Sequence, residues 1–216
     1  MVEAALRLAN PRIEIQQKII HTSGDKRLDL RFSEFAQGER LDKGIFTKEL
    51  EIALHSGEID FAVHSLKDVP TVLDEAFSIV AVLPRAPIED VLISRDGYTL
   101  ESLPQGAKVG TSSVRRIRQL KWIRPDLQCV EIRGNVPTRL RKLNDPSELD
   151  AILLAKAGLD RLGLLGECGS IHLEGTSLKG SILPEETFFP AAGQGAIGIE
   201  ARLNDYRVKA EVVGFS

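Results

Sequence analysis

Short apolar runs alternate along this chain with stretches whose apolar residues recur at helical spacing, and charged residues interrupt every apolar run. Candidate strands are 13–20, 59–64 (where Ile59, Phe61 and Val63 alternate), 77–83, 91–94, 108–110, 127–132, 151–155 and 196–200. Phe46, Leu50, Ala53 and Leu54 form a helical stripe with Thr47 at its start and Gly57 at its stop. Further helices are predicted over 114–123 and over 138–143, just past Pro137. Strand, helix, strand order predicts an α/β fold with largely parallel sheets. Pro84 and Pro87 bracket a crossover between two halves, and the polar, glycine-containing stretch 24–44 is a loop long enough to expect a functional role.

At 216 residues, 43% apolar and 27% charged, the chain has material for one large domain or two modest ones. No run approaches the roughly 18 apolar residues that a membrane helix needs. The start, MVEAALRLANPRIEI, does not read as a secretory signal, so a soluble cytoplasmic protein is expected. Cys129 and Cys168 show no CxxC spacing and fit a reducing compartment. Aromatic residues, at 5%, are too sparse for a single-strand stacking platform.

The net charge of -3 conceals an asymmetry. Between Lys108 and Lys142 stand ten basic residues (Lys108, Arg115, Arg116, Arg118, Lys121, Arg124, Arg133, Arg139, Arg141 and Lys142) against two acids, Asp126 and Glu131, so that segment carries +8 and the rest -11. A concentration of this kind usually faces an anion. Thr111, Ser112 and Ser113 precede the arginine-rich helix, where free N–H groups and hydroxyls suit a phosphate or carboxylate. Ordinary capping by Ser112 or Ser113 is the competing reading. Arg115 and Arg116 in the first turn oppose the helix dipole, a local cost that an anion would offset. Arg133 ends a strand and Arg139 opens the next helix, so both can point into a cleft at the carboxyl ends of the strands.

His64-Ser65-Leu66-Lys67-Asp68 closes another strand. A Ser-His-Asp triad is unsuited to members so close in sequence. Asp68 reads better as an acid/base or cation stabiliser, Lys67 as an anion contact, and His64 as a structural residue. Gly193-Gln194-Gly195-Ala196-Ile197-Gly198 fits the letters of a dinucleotide fingerprint, but a strand-like segment follows where a helix is required. No metal-ligand spacing is present.

Several ordered motifs, HTSGDK, DKGIFTKELE, HSLKDVPT, VGTSSVRR, EIRGNVPTRLRKL, AILLAKAGLDRLG and PAAGQGAIGIEAR, resemble those of the hydroxymethylbilane synthase (porphobilinogen deaminase) family over nearly the whole chain. The resemblance implies a transferase of tetrapyrrole and haem biosynthesis that condenses four porphobilinogen molecules into linear hydroxymethylbilane with release of ammonia. It implies an α/β fold of two domains resembling type II periplasmic binding proteins, residues 1–84 with 195–216 and residues 85–194, acting as a cytoplasmic monomer on a small molecule with no nucleic acid or membrane partner. Asp68 would be the catalytic carboxylate. Lys67, Thr111, Ser112, Ser113, Arg115, Arg116, Arg133, Arg139 and Arg161 would bind carboxylates of substrate and of a dipyrromethane cofactor, with Gln194 near the site and Phe46 beside the pyrrole rings.

Against the family pattern the chain is expected to be truncated at both ends. The first strand with its Arg-x-Ser-x-Leu-Ala motif and the small third α+β domain, whose cysteine carries the cofactor, would be absent, and the piece alone inactive or nearly so. Neither Cys129 nor Cys168 matches the attachment motif, and both read as structural. The alternative is a non-catalytic polycarboxylate-binding module of the same two-domain fold. Retention of an acid at Asp68 amid so many cations favours descent from an enzyme.

Overall fold

Val91, Leu92, Ile93, Ile152 and Leu153 are almost wholly buried, each contributing about 1.5–3 kcal/mol through burial. They sit in adjacent central strands of the larger of two sheets. The computed structural model describes residues 1–22, 47–173 and 175–212, with the side chain of Thr176 left aside. The loop expected at 24–44 and the candidate Phe46 lie outside the described residues. The chain divides into two compact units, Met1–Ala86 with Ala196–Ser216, and Pro87–Gly195.

In chain order, the first unit holds α1 (Val2–Ala9), α2 (Lys48–His55), β1 (Phe61–Ser65) and β2 (Phe77–Val82). The second holds β3 (Asp90–Ser94), β4 (Lys108–Gly110), α3 (Val114–Ile123), β5 (Gln128–Val130), α4 (Val136–Lys142), β6 (Ala151–Ala155), α5 (Lys156–Arg161), β7 (Ser170–Leu173) and β8 (Thr176–Leu183). The chain then returns to the first unit for β9 (Ile197–Arg202) and α6 (Tyr206–Val212).

The first unit's sheet runs β1-β9-β2, both pairings antiparallel, so β9 is the middle strand although it is the last in sequence. One face packs Ile199 and Ala201 against Leu6 of α1 and Val208 and Val212 of α6. The other packs Ala62 and Phe77 against Leu54 of α2. Gly57, at φ 74°, turns the chain out of α2, as expected of a glycine just past a helix end.

The second unit's sheet runs β5-β4-β6-β3-β8-β7. Only β4 pairs in parallel, with β5 and β6, and the β3–β6, β3–β8 and β7–β8 pairs are antiparallel. The expectation of largely parallel sheets is therefore corrected: among the described residues antiparallel pairs predominate. Apolar clusters cover both faces, Ile93, Ile152 and Leu154 with Leu140 of α4 on one, Leu92, Val109 and Leu153 with Leu120 of α3 on the other. That double burial explains why β3 and β6 read as continuous apolar runs.

Segment 13–20, expected as a strand, joins no sheet among the described residues, although Ile13 and Ile15 pack on the first unit's core. Helix α4 starts earlier than expected, capped by Asn135 Oδ1 accepting from Thr138 N at 2.9 Å, with Pro137 in the first turn where its missing N–H is harmless. No helix among the described residues is long and apolar enough to cross a membrane.

Candidate functional site

In the second unit, the turn between β4 and α3 is assembled from its own hydroxyls. Thr111 is buried, its N–H donating to Val130 O at 2.9 Å while its Oγ1 accepts from Ser113 N at 3.2 Å. Ser112 Oγ donates to Ile132 O at 2.6 Å and accepts from Ile132 N at 3.2 Å, joining the loops that follow two parallel strands. Ser113 is the N-cap of α3, accepting from Arg116 N at 3.5 Å. Capping and ligand binding had competed as readings of this motif. Its hydroxyls have defined roles within the fold.

The arginines that follow meet an acid that sequence reasoning missed. Asp90, the first residue of β3, is completely buried. Its Oδ2 accepts from Arg115 Nη2 at 2.7 Å and its Oδ1 from Arg116 Nη2 at 2.7 Å. Gln194 Nε2 reaches the same Oδ1 at 3.0 Å and Ile88 O at 2.6 Å. Arg116 Nη1 donates to Leu153 O at 3.0 Å, and Arg115 Nη1 donates to Phe189 O. Burial alone would raise the Asp90 pKa, but hydrogen bonds and charge from Arg116, then Arg115, hold it below the ordinary carboxylate value. The anion expected to offset two cations at a helix start is thus supplied in part by the chain itself. Asp90, Arg115, Arg116 and Gln194 are brought together. No local signal separated Asp90 from its neighbour Glu89.

The remaining cations of the segment are differently placed. Arg133 pairs with Glu131, Nη2 to Oε1 at 2.8 Å, and Arg139 Nε donates to Gly134 O at 2.6 Å. Arg161 Nη2 donates to Gly195 O at 2.7 Å, while its Nε is buried without a hydrogen-bond partner. Arg124 grips Asp126 through two 2.8 Å bonds and the carbonyls of Leu100 and Leu103 at 2.7 and 3.0 Å, and it holds the Asp126 carboxyl far below its usual range. Part of the +8 is therefore structural.

In the first unit, β1 ends in a 3₁₀ turn, Leu66–Asp68, that leaves Lys67 and Asp68 side by side and exposed. Leu66 N donates to Ala196 O at 3.1 Å, and a Cβ on Gly198 would lie only 2.9 Å from Leu66 Cδ1. The absent side chain at Gly198 lets this turn seat against β9. The glycine-rich motif leads into β9, a strand, which removes the dinucleotide reading as expected. His64 has the structural role expected of it, with Nε2 2.9 Å from the buried Glu200 Oε2. Cys129 is half-buried, its thiol pKa raised by burial, and Cys168 is exposed at φ 53°.

Residues 1–210 match the family described as porphobilinogen deaminase, dipyromethane cofactor binding domain. The chain is 46% identical over 207 residues to the porphobilinogen deaminase of Syntrophomonas wolfei, covering 96% of this chain and 62% of that one. It is 49% identical over 209 residues to that of Moorella thermoacetica, covering 97% and 61%. It thus spans about three fifths of the length of these curated relatives. The fold is similar to the crystal structure of the periplasmic VFT2 domain of Bordetella pertussis BvgS, with a TM-score of 0.53 at 12% identity over 99% of this chain and 74% of that one. The two-domain α/β fold is of the type II periplasmic-binding-protein kind. From residue 1 to residue 210, the chain belongs to the porphobilinogen deaminase family.

Proposed function

We propose that the protein is a hydroxymethylbilane synthase, joining four porphobilinogen molecules head to tail with loss of one ammonia from each. The observation that carries this reading is the contrast between two carboxylates in a chain of this family. Asp90 is sealed by two arginines, whereas Asp68 stands exposed at the end of β1, where an incoming pyrrole can reach it. At each coupling the bond between the aminomethyl carbon and its protonated nitrogen breaks, and ammonia leaves with the bonding pair. Asp68 stabilises the positive charge left on the pyrrole, principally at its ring N–H. The free α-carbon of the pyrrole already at the end of the bound chain forms the new carbon–carbon bond to that methylene carbon and gives up its proton to solvent.

Lys67, Arg115, Arg133, Arg139 and Arg161 offer cations to the acetate and propionate groups that porphobilinogen carries. The donor set also fits dipyrromethane, a polycarboxylate: Arg116 Nε and Arg161 Nε are buried donors with no hydrogen-bond partner. Arg115, Arg116, Arg133, Arg139 and Arg161, with Ser113 at the helix start, would hold its carboxylates, and when bound it supplies the free pyrrole end on which chain growth starts. The two free thiols accord with a cytoplasmic setting.

The test is ammonia release and pyrrole consumption by the protein as its gene encodes it. Asp68→Asn is expected to lower kcat by about 10²–10³-fold with a small change in KM, the scale seen when one charge-stabilising group is removed. An unaltered protein that releases no ammonia from porphobilinogen, or an Asp68→Asn variant with full kcat, would overturn the reading.

A further inference from the structure

We propose that Asp90 is a positioning residue for carboxylate recognition: it holds Arg115 and Arg116 as a fixed pair and cancels one of their two charges, so that the pair meets a substrate carboxylate with a single net positive charge. The inference rests on the functional reading given above and concerns the substrate's carboxylates.

Two adjacent guanidiniums in the first turn of α3 repel each other and the positive end of the helix dipole. Left to themselves, such long side chains would diverge into solvent. Here both converge on one carboxylate, one Nη2 on each oxygen, each at 2.7 Å. The second Nη of each is also fixed on a carbonyl, Leu153 O for Arg116 and Phe189 O for Arg115. Gln194 closes the arrangement by bonding both Asp90 Oδ1 and Ile88 O, which ties the acid at the start of β3 to the backbone two residues before it. The arginines keep Asp90 ionised despite its burial, so the charge cancellation persists through the neutral range.

The two arginines then differ in use. The Arg116 side chain is 8% exposed and serves chiefly as the inner anchor, whereas that of Arg115 is 25% exposed and is the one a ligand meets first. A net charge of +1 rather than +2 suits an enzyme that must move a growing polycarboxylate along its site, because each contact has to be released as well as made. A neutral amide at position 90 would keep the volume but offer one accepting oxygen and one donating NH₂, which faces a guanidinium N–H. One arginine would be released and the pair's charge would double.

The experiment is steady-state kinetics with porphobilinogen on the complete protein, with thermal melting of each variant measured alongside. Asp90→Asn is expected to raise KM about tenfold while kcat stays within about threefold, the pattern of lost binding orientation rather than lost chemistry. Asp90→Glu restores the charge with a longer arm and should give a KM between those of Asp90→Asn and the unaltered protein. A melting temperature lowered in Asp90→Asn with KM unchanged would show a purely structural acid and overturn the proposal. If Asp90→Asn does not fold, Asp90→Glu carries the test: KM raised about threefold with kcat kept supports the proposal, and an unchanged KM overturns it. An unaltered protein that does not consume porphobilinogen is a separate outcome, seen without any variant, and removes the functional reading together with this inference.

Discussion

His64 Nε2 lies 2.9 Å from Glu200 Oε2 across β1 and β9, with the two side chains 5% and 0% exposed. Glu200 Oε1, also buried, has no hydrogen-bond partner. Removing either partner leaves the other polar group sealed without its match. His64→Leu or Glu200→Leu should each cost about 3 kcal/mol, and the double apolar variant should lose less than the sum of the two. Urea unfolding of the three variants measures this directly, and strict additivity would show that the pair does not interact.

Asp90 predicts a pH signature. Its carboxyl is held below the ordinary value in the folded chain, so its contribution to stability is complete above the unfolded-state value of 3.8 and is lost as pH falls through the lower folded value. The stability gap between the unaltered protein and Asp90→Asn should be constant from about pH 5 to pH 8 and should narrow below about pH 4. A gap that widened in acid would have the wrong sign for this arrangement.

Ser112 separates a structural hydroxyl from a binding one. Because its Oγ both donates to Ile132 O and accepts from Ile132 N, Ser112→Ala strands two backbone groups and should cost about 1–2 kcal/mol of stability. KM for porphobilinogen should change less than in Arg115→Gln. Denaturant titration and kinetics on the same preparations decide between the two roles.

Gly198 links a backbone position to the proposed chemistry. A methyl group there meets Leu66 Cδ1 at 2.9 Å, and Leu66 begins the turn that carries Lys67 and Asp68. Gly198→Ala should cost about 1 kcal/mol, since the Leu66 side chain can yield, and Gly198→Val about 3 kcal/mol. In both, kcat should fall by a larger factor than the change in KM, because the carboxylate is displaced while most substrate contacts remain.

Much of this molecule was legible before its structure. Positions 108–110, 114–123 and 151–155 were expected as the elements they form, because caps and apolar runs are local signals. Strand direction is not local, and antiparallel pairing of β3 with β6 and β8 was therefore missed. Segment 13–20 shows why period alone misleads: Ile13 and Ile15 face a core on alternate positions, yet no ladder forms among the described residues. The antiparallel pair β7 and β8 is not among the expected strands, because serines, glycines and a lysine interrupt its apolar pattern. At the site, the reach of Arg115 and Arg116 toward an anion was readable from composition. Asp90 was not, since only the fold brings it from 25 residues away to meet them.

The position of β9 has a consequence for how the chain acquires its form. As the ribosome delivers β1 and β2, they cannot pair with each other through the strand that separates them, because that strand is not yet made. The second unit is one uninterrupted segment, Pro87–Gly195, and every strand of its sheet is present once β8 emerges. Vectorial synthesis therefore favours completion of the second unit first. The first unit waits, its apolar strand faces unsealed, until Ile197–Arg202 arrives to close it.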